Sequence, residues 1–321
     1  EIVEADCASP GSAATAAAVG LVKKHGITGA YFTDMPLASR RYLAMRGAGV
    51  DRIVLHEHRP GARPPVRGVK GLAKSIAYAA PWWTCDRYVC TTEFIRQRMI
   101  DNARLAPDRC VVVPNGIDPL DCDAETRREV RAELGAMEED VMVALVSRAH
   151  EYKNIEFAND VAAAVFAQDP GSPLRFIVIG DGPHLERFRQ RAASLGLGDR
   201  FRFLGRRSDV RRLLCGFDLG FQPSKGEVGY SLSILEMMSA GLPVVVSDNR
   251  SVAGATRDGE TGFLYGEGDT GSAVCLLRRL AADREERRTV GSAARRDSRE
   301  RFSFDGTLQS LRAHVCAFLE A

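Results

Sequence analysis

The strongest constraint in this sequence is the alternation of short apolar runs with stretches of helical period. Four runs, at 29–34 (GAYFTD), 52–58 (RIVLHEH), 86–92 (DRYVCTT) and 110–118 (CVVVPNGID), read as buried strands, with helical patterns at 12–25, 38–48, 68–80 and 92–104 between them. A second series follows. Its strands fall at 141–148, 174–182, 200–205, 219–224, 242–248 and 261–265, and its helices at 155–168, 183–195, 208–215, 232–240, 271–281 and 284–301. Strands that alternate with helices predict an α/β chain whose parallel sheets are covered on both faces. The composition shifts after NGIDP, where a charged helical segment separates the two series. The expected domains are therefore 1–119 and 120–304, followed by a terminal helix over 305–321, and 321 residues suffice for two domains.

Composition removes several functional classes. A net charge of +2 gives no general attraction for nucleic acid, and none is expected as a partner. The eight cysteines form no CxxC and no Cys/His cluster of zinc spacing, so no metal site is expected and the thiols are expected to be reduced and mostly buried. No signal peptide and no apolar run of the ~18 residues a membrane span needs is present, and a cytoplasmic location is expected. The sequence opens at Glu1 without a strand–glycine–helix unit, so the first domain is expected to lack its N-terminal strand.

In open parallel sheets, ligands bind beyond the carboxyl ends of the strands, where helix N-termini offer unpaired N–H groups that suit phosphate. Two loops of the second series fit. VSRAHEYKN places Arg148, His150 and Lys153 directly after a strand, and VIGDGPHLERF gives a tight turn at Gly180 and Gly182 with Pro183 opening a helix. Arg148 and Lys153 form a candidate diphosphate clamp; a solvated basic loop is the plainer alternative.

The stretch 223–248, PSKGEVGYSLSILEMMSAGLPVVVSD, sets Glu227 after a small-residue loop and Glu236 among Ile234, Leu235, Met237 and Met238. Ser233 and Glu236 have the spacing of a capping box, which by itself would account for Glu236. It does not account for Glu227. Carboxylates also accept from vicinal hydroxyls, and two of them near a phosphate clamp would suit a ribose and a hexose.

These residues resemble the donor-site motif of glycosyltransferase family 4. CVVVPNGID, VSRAHEYKN, FIVIGDGP, RFRFLGRRSDV, DLGFQPS and DGETGFLYGEGD (258–269) follow in family order over roughly 86 to 305. The resemblance implies the GT-B fold, two Rossmann-like domains facing a cleft, and transfer from a nucleotide-diphosphate sugar with retention of configuration and no required metal or other cofactor. It implies that Arg148 and Lys153 hold the diphosphate, that Glu236 accepts from the ribose, and that Glu227 contacts the transferred sugar. Gly229, Tyr230, Ser231 and Leu232 would supply backbone N–H groups, and His56 would lie near the reacting carbon. Asp34 and Glu57 also lie at strand ends, as weaker base candidates.

The sequence departs from the family at two points. Eight residues separate Glu227 from Glu236 where the family has seven, which reads as a one-residue insertion in the loop. The family's first strand and glycine-rich loop are not in the sequence. On the acceptor side, 56–83 carries Arg59, Arg63, Arg67, Lys70 and Lys74 and ends in Trp82 and Trp83. This stretch suits peripheral contact of 59–83 with the inner face of a membrane, a phosphorylated or acidic acceptor, or a solvated linker. Glycan, lipid-linked and small-molecule acceptors all stay open. Two other functions compete with transfer: a non-catalytic sugar-nucleotide binding subunit, and a GT-B nucleotide-sugar 2-epimerase.

Overall fold

The computed structural model describes residues 11–60 and 68–320. The chain divides into two compact units, residues 1–114 with 307–321, and 115–306.

Unit 1 is built on four parallel strands in the order β1-β2-β3-β4, namely β1 (Gly29–Thr33), β2 (Arg52–Glu57), β3 (Arg87–Cys90) and β4 (Cys110–Val112). Its helices are α1 (Ser12–His25), α2 (Arg40–Gly47), α3 (Gly68–Ala79) and α4 (Glu93–Ala103). β2 is buried at every position but its first, as expected of a strand covered on both faces.

Unit 2 carries α5 (Ala124–Glu133), β5 (Val141–Val146), α6 (Ile155–Gln168), β6 (Leu174–Ile179), α7 (Leu185–Ser194) and β7 (Phe201–Gly205). It continues with α8 (Val210–Leu214), β8 (Leu219–Gln222), α9 (Leu232–Ser239), β9 (Val244–Ser247), β10 (Gly262–Tyr265), α10 (Thr270–Ala282) and α11 (Arg284–Arg301). The six parallel strands run β10-β9-β8-β5-β6-β7. This is the dinucleotide-fold order, with β5 the first strand and β8 the fourth, so the chain reverses direction between them.

Period-two alternation explains how the sheet is covered. Val141, Val143 and Leu145 of β5 enter one apolar core with Ile155, Phe166 and Leu277, while Met142 and Ala144 enter another with Leu213, Ile234 and Met238. Full burial of a side chain such as Phe176 or Leu145 contributes about 1.5–3 kcal/mol.

The chain returns to unit 1 within α12 (Phe304–Leu311), and α13 (Ala317–Glu320) follows. There the Phe318 ring lies beneath the guanidinium groups of Arg52 and Arg87, and Leu319 packs on Gly29.

The expectation of reduced thiols fails at one pair. Cys122 and Cys215, 93 residues apart, form a disulfide with a Cα separation of 5.1 Å. Sequence spacing gave no sign of it because the fold alone brings the end of α8 beside the segment leading into α5. Of the other described cysteines, Cys85, Cys90 and Cys110 are buried, whereas Cys275 and Cys316 are exposed. Cys7 lies outside the described residues.

Candidate functional site

Four loops leave the carboxyl edge of the unit 2 sheet around the reversal between β5 and β8. After β5 comes 147–154, after β6 comes 180–184, after β7 comes Arg206, and after β8 comes 223–231. A pocket of about 650 Å³ is lined by Arg148, Gly180, Asp181, Gly182 and Arg206. Its two glycines are required by close approach. A Cβ on Gly180, where φ is +141°, would sit 2.0 Å from the Ser147 carbonyl oxygen, and one on Gly182 would sit 2.7 Å from that of Ala149. The turn therefore packs backbone against backbone, leaving Arg148 exposed at the rim.

The long loop is pinned on several sides. The Lys225 N–H donates to the Tyr152 carbonyl at 2.8 Å, and the Ser247 hydroxyl donates to the Ser224 carbonyl at 2.8 Å. Gly229 donates to the Ser251 carbonyl and accepts from the Gly254 N–H, each at 2.8 Å. Glu227 turns inward and is 6% exposed, while Val228 is only half-buried.

Inside the loop, Glu227 Oε1 is ion-paired with Lys153 Nζ, and both side chains are buried. Gln222 Nε2 lies 3.4 Å from the same oxygen. The two residues that the family resemblance links to sugar and diphosphate thus neutralise each other inside the loop. A buried pair of this kind is costly to break by removing one member.

Glu236 corrects the capping-box expectation. The N-cap of α9 is Ser231, whose hydroxyl accepts from the Ile234 N–H, and Ser233 sits inside the first turn with its Oγ 2.8 Å from that of Ser231. Two hydroxyl-bearing residues compete for one cap, and the extended backbone of Ser231 takes it. Glu236 is left half-buried, its carboxylate with no hydrogen bond or ion pair to another described residue. Burial pushes its carboxyl above the usual glutamate range, opposed by the charge of Arg211.

The backbone donors foreseen at 229–232 divide. The Gly229 amide is committed to Ser251, and Tyr230 is buried with its ring against Phe302. Ser231 is occupied as the cap, and Leu232 begins the helix with its side chain half exposed.

In unit 1, His56 at the carboxyl end of β2 is 6% exposed. Its Nδ1 shares a hydrogen with the Tyr31 hydroxyl, and its Nε2 is buried without a partner. Burial, helped by the neighbouring His58, lowers its pKa to about 3, so the imidazole is neutral. The next residue, Glu57, is 1% exposed and receives Arg59 at 2.8 Å and Arg98 at 3.0 Å. Two guanidinium groups therefore converge on one buried carboxylate. Asp34 accepts from the His58 N–H at 2.6 Å. A pocket of about 210 Å³ beside Glu57 is lined by Arg59, Lys74, Tyr78 and Arg98, among others. Arg63 and Arg67 lie outside the described residues.

Arg206 was missed by sequence reasoning. Its signal was its place directly after Gly205 at a strand's carboxyl end, the same position that singled out Arg148.

Two parallel sheets, the second with an arginine-bearing pocket at its carboxyl edge, define the class as a GT-B glycosyltransferase fold. Among solved structures, the chain is similar to Anabaena Alr3699/HepE in complex with UDP and glucose (TM-score 0.79, 20% identity, covering 95% of this chain and 82% of that one). The family model of Glycosyl transferases group 1 matches residues 126–297, and that of Glycosyltransferase Family 4 matches residues 12–119. The chain belongs to this glycosyltransferase family. It is 31% identical over 216 residues to the D-inositol 3-phosphate glycosyltransferase of Nocardia farcinica, covering 65% of this chain and 48% of the relative. It is 28% identical over 174 residues to the N-acetyl-alpha-D-glucosaminyl L-malate synthase of Bacillus anthracis, covering 54% and 45%. The chain spans about half the length of the curated relatives it matches.

Proposed function

We propose that this protein is a retaining, metal-independent glycosyltransferase that moves a sugar from a nucleotide-diphosphate sugar to a hydroxyl of an anionic acceptor. The observation that carries this reading is the pair of arginines, Arg148 and Arg206, on the unit 2 pocket, joined by the half-buried Glu236 of α9, whose carboxylate has no partner among the described residues. The arginines suit a diphosphate and the glutamate suits the ribose hydroxyls. In the reaction the bond from the anomeric carbon to the diphosphate oxygen breaks, and its electron pair leaves with the diphosphate. The acceptor hydroxyl bonds to the same face of that carbon and passes its proton to the departing oxygen. Arg148, Arg206 and Lys153 stabilise the charge that develops there. Glu227, oriented by Lys153, contacts the sugar, and His56 offers its unpartnered Nε2 as a neutral hydrogen-bonding group.

The unit 1 pocket supports the anionic acceptor, because Arg59, Lys74 and Arg98 outnumber the single carboxylate of Glu57. Two relatives are named for an inositol phosphate and for malate, both anions. The test is incubation with UDP-, GDP-, ADP- and TDP-sugars, each with a phosphorylated and an uncharged polyol, followed by NMR of the product. An α-linked product from an α-linked donor, formed with the charged polyol in EDTA, supports the proposal. Inverted linkage, a metal requirement or epimerised donor without transfer contradicts it.

No helix among the described residues is long and apolar enough to cross a membrane. Peripheral contact at the inner, anionic membrane face is proposed through α3. Val69, Leu72 and Ile76 lie on one side of this helix at 84%, 64% and 66% exposure, beside Lys70 and Lys74 and close in sequence to Trp82. Sedimentation with phosphatidylglycerol vesicles, abolished in L72E/I76E, is the expected result; equal sedimentation of that variant would refute the contact.

A further inference from the structure

The amino edge of the same unit 2 sheet carries a second charged cavity, of about 380 Å³. Asp218 precedes β8 and Leu242 precedes β9 in its wall, so it opens at the opposite edge from Arg148 and Arg206. The Cys122–Cys215 disulfide forms part of its lining. Five arginines line it, Arg127, Arg284, Arg287, Arg288 and Arg295, against two aspartates.

The aspartates are already committed. Asp218 accepts from Arg127 at 2.6 Å and from Arg131 at 3.0 Å. Asp123 caps α5 by accepting from the Thr126 N–H at 2.7 Å. Just outside the cavity, Glu285 pairs with Arg288 and Asp121 with Arg295. Two guanidinium groups have no carboxylate among the described residues. Arg287 donates only to the carbonyls of Leu280 and Ala281, at the end of α10, and Arg284 makes no hydrogen bond or ion pair. In addition, Arg295 Nε is buried without an acceptor. Burial holds the Arg287 guanidinium below the ordinary arginine range, with Asp218 and Asp283 opposing and repulsion from Arg284 and Arg127 adding to it. The cavity therefore gathers five guanidinium groups against two committed aspartates, an excess of positive charge.

We propose that this cavity is a second anion site that takes a free oligophosphate, a ligand with two or more adjacent phosphate groups. Planar guanidinium forks bind phosphate oxygens in pairs, and here they converge from α5 and from two turns of α11. Chained phosphates reach more of them than a single phosphate does. No role in the transfer reaction is needed for this binding, and the cavity shares no lining residue with the donor crevice.

The test is isothermal titration of the full chain with sodium tripolyphosphate at low salt, where such binding is strongest. Wild type is expected to bind. R284E/R287E is expected to lose that binding event by about tenfold or more, since each lost charge-assisted bond is worth roughly a factor of ten. R284E alone changes an exposed residue, keeps the fold, and is expected to show part of the loss. R148E/R206E, at the opposite edge, is expected to retain the event. The proposal is overturned if wild type takes up no tripolyphosphate, if affinity is unchanged in both R284E and R284E/R287E, or if R148E/R206E alone abolishes all binding. Nucleotide binding in R148E/R206E separately tests the donor crevice, so either assignment can fail without the other.

Discussion

Two glutamates nine positions apart meet opposite fates. Glu227, in the loop after β8, is buried against Lys153 and braced by Gln222. Glu236, on α9, is half-buried with nothing to bond. Loop and helix explain the contrast. The irregular loop can bend to bring a carboxylate to a lysine 74 residues away in sequence. The helix fixes where its side chain points, and among the described residues no cation comes close enough to pair, Arg211 acting only from a distance.

The largest expected effect comes from breaking the pair. Lys153→Ala leaves the Glu227 charge buried alone and should cost about 3–5 kcal/mol, read by urea unfolding. K153M/E227Q should recover most of that stability while transfer stays lost. If Lys153→Ala unfolds like wild type, the ion pair is not formed.

Unit 1 offers an intermediate case, a buried group kept neutral. His56 is neutral in the folded chain down to about pH 3, whereas the unfolded chain takes up that proton near pH 6.5. The unfolded state therefore binds more protons between these values. The contribution is complete above about pH 6.5 and is lost as pH falls toward 3, on the order of a few kcal/mol in total. Replacing His56 by Gln should flatten the decline of melting temperature between pH 6.5 and 5, above most carboxylate titration. An unchanged slope would mean that the imidazole is solvated.

The smallest effect has the opposite sign. Glu236→Gln removes a charge held in a partly buried position without a partner and should stabilise the chain by about 0.5–2 kcal/mol. The same change should weaken nucleotide binding about tenfold or more, through lost charge-assisted bonds to ribose. A drop in stability with intact binding would return Glu236 to a structural role.

These cases show what the sequence made legible. All ten strands lie within the expected runs, for example β5 (Val141–Val146) within 141–148 and β8 (Leu219–Gln222) within 219–224. Eight of them stop short of the expected run at the carboxyl end, where the chain turns into a loop, and β7 and β10 reach its end. Local periodicity records strands and helices, since both are decided by neighbours a few positions away. It does not record contacts made across the fold. The Lys153–Glu227 pair, the Cys122–Cys215 bridge and the commitment of the Gly229 amide to Ser251 all join segments brought together only by packing. Ser231 and Ser233 both satisfy the sequence rule for a cap, and backbone geometry two residues earlier than expected decided between them.

The central claim is that the carboxyl edge of unit 2 binds a nucleotide-diphosphate sugar through its unmatched charges. The most direct measurement is thermal denaturation of wild type, Arg148→Ala and Glu236→Gln with UDP, GDP, ADP and TDP and their sugars, in the presence of EDTA. One nucleotide at 100 times its dissociation constant should stabilise wild type by about 2.7 kcal/mol and both variants by clearly less. No shift with any nucleotide, or an equal shift in all three proteins, would contradict the account.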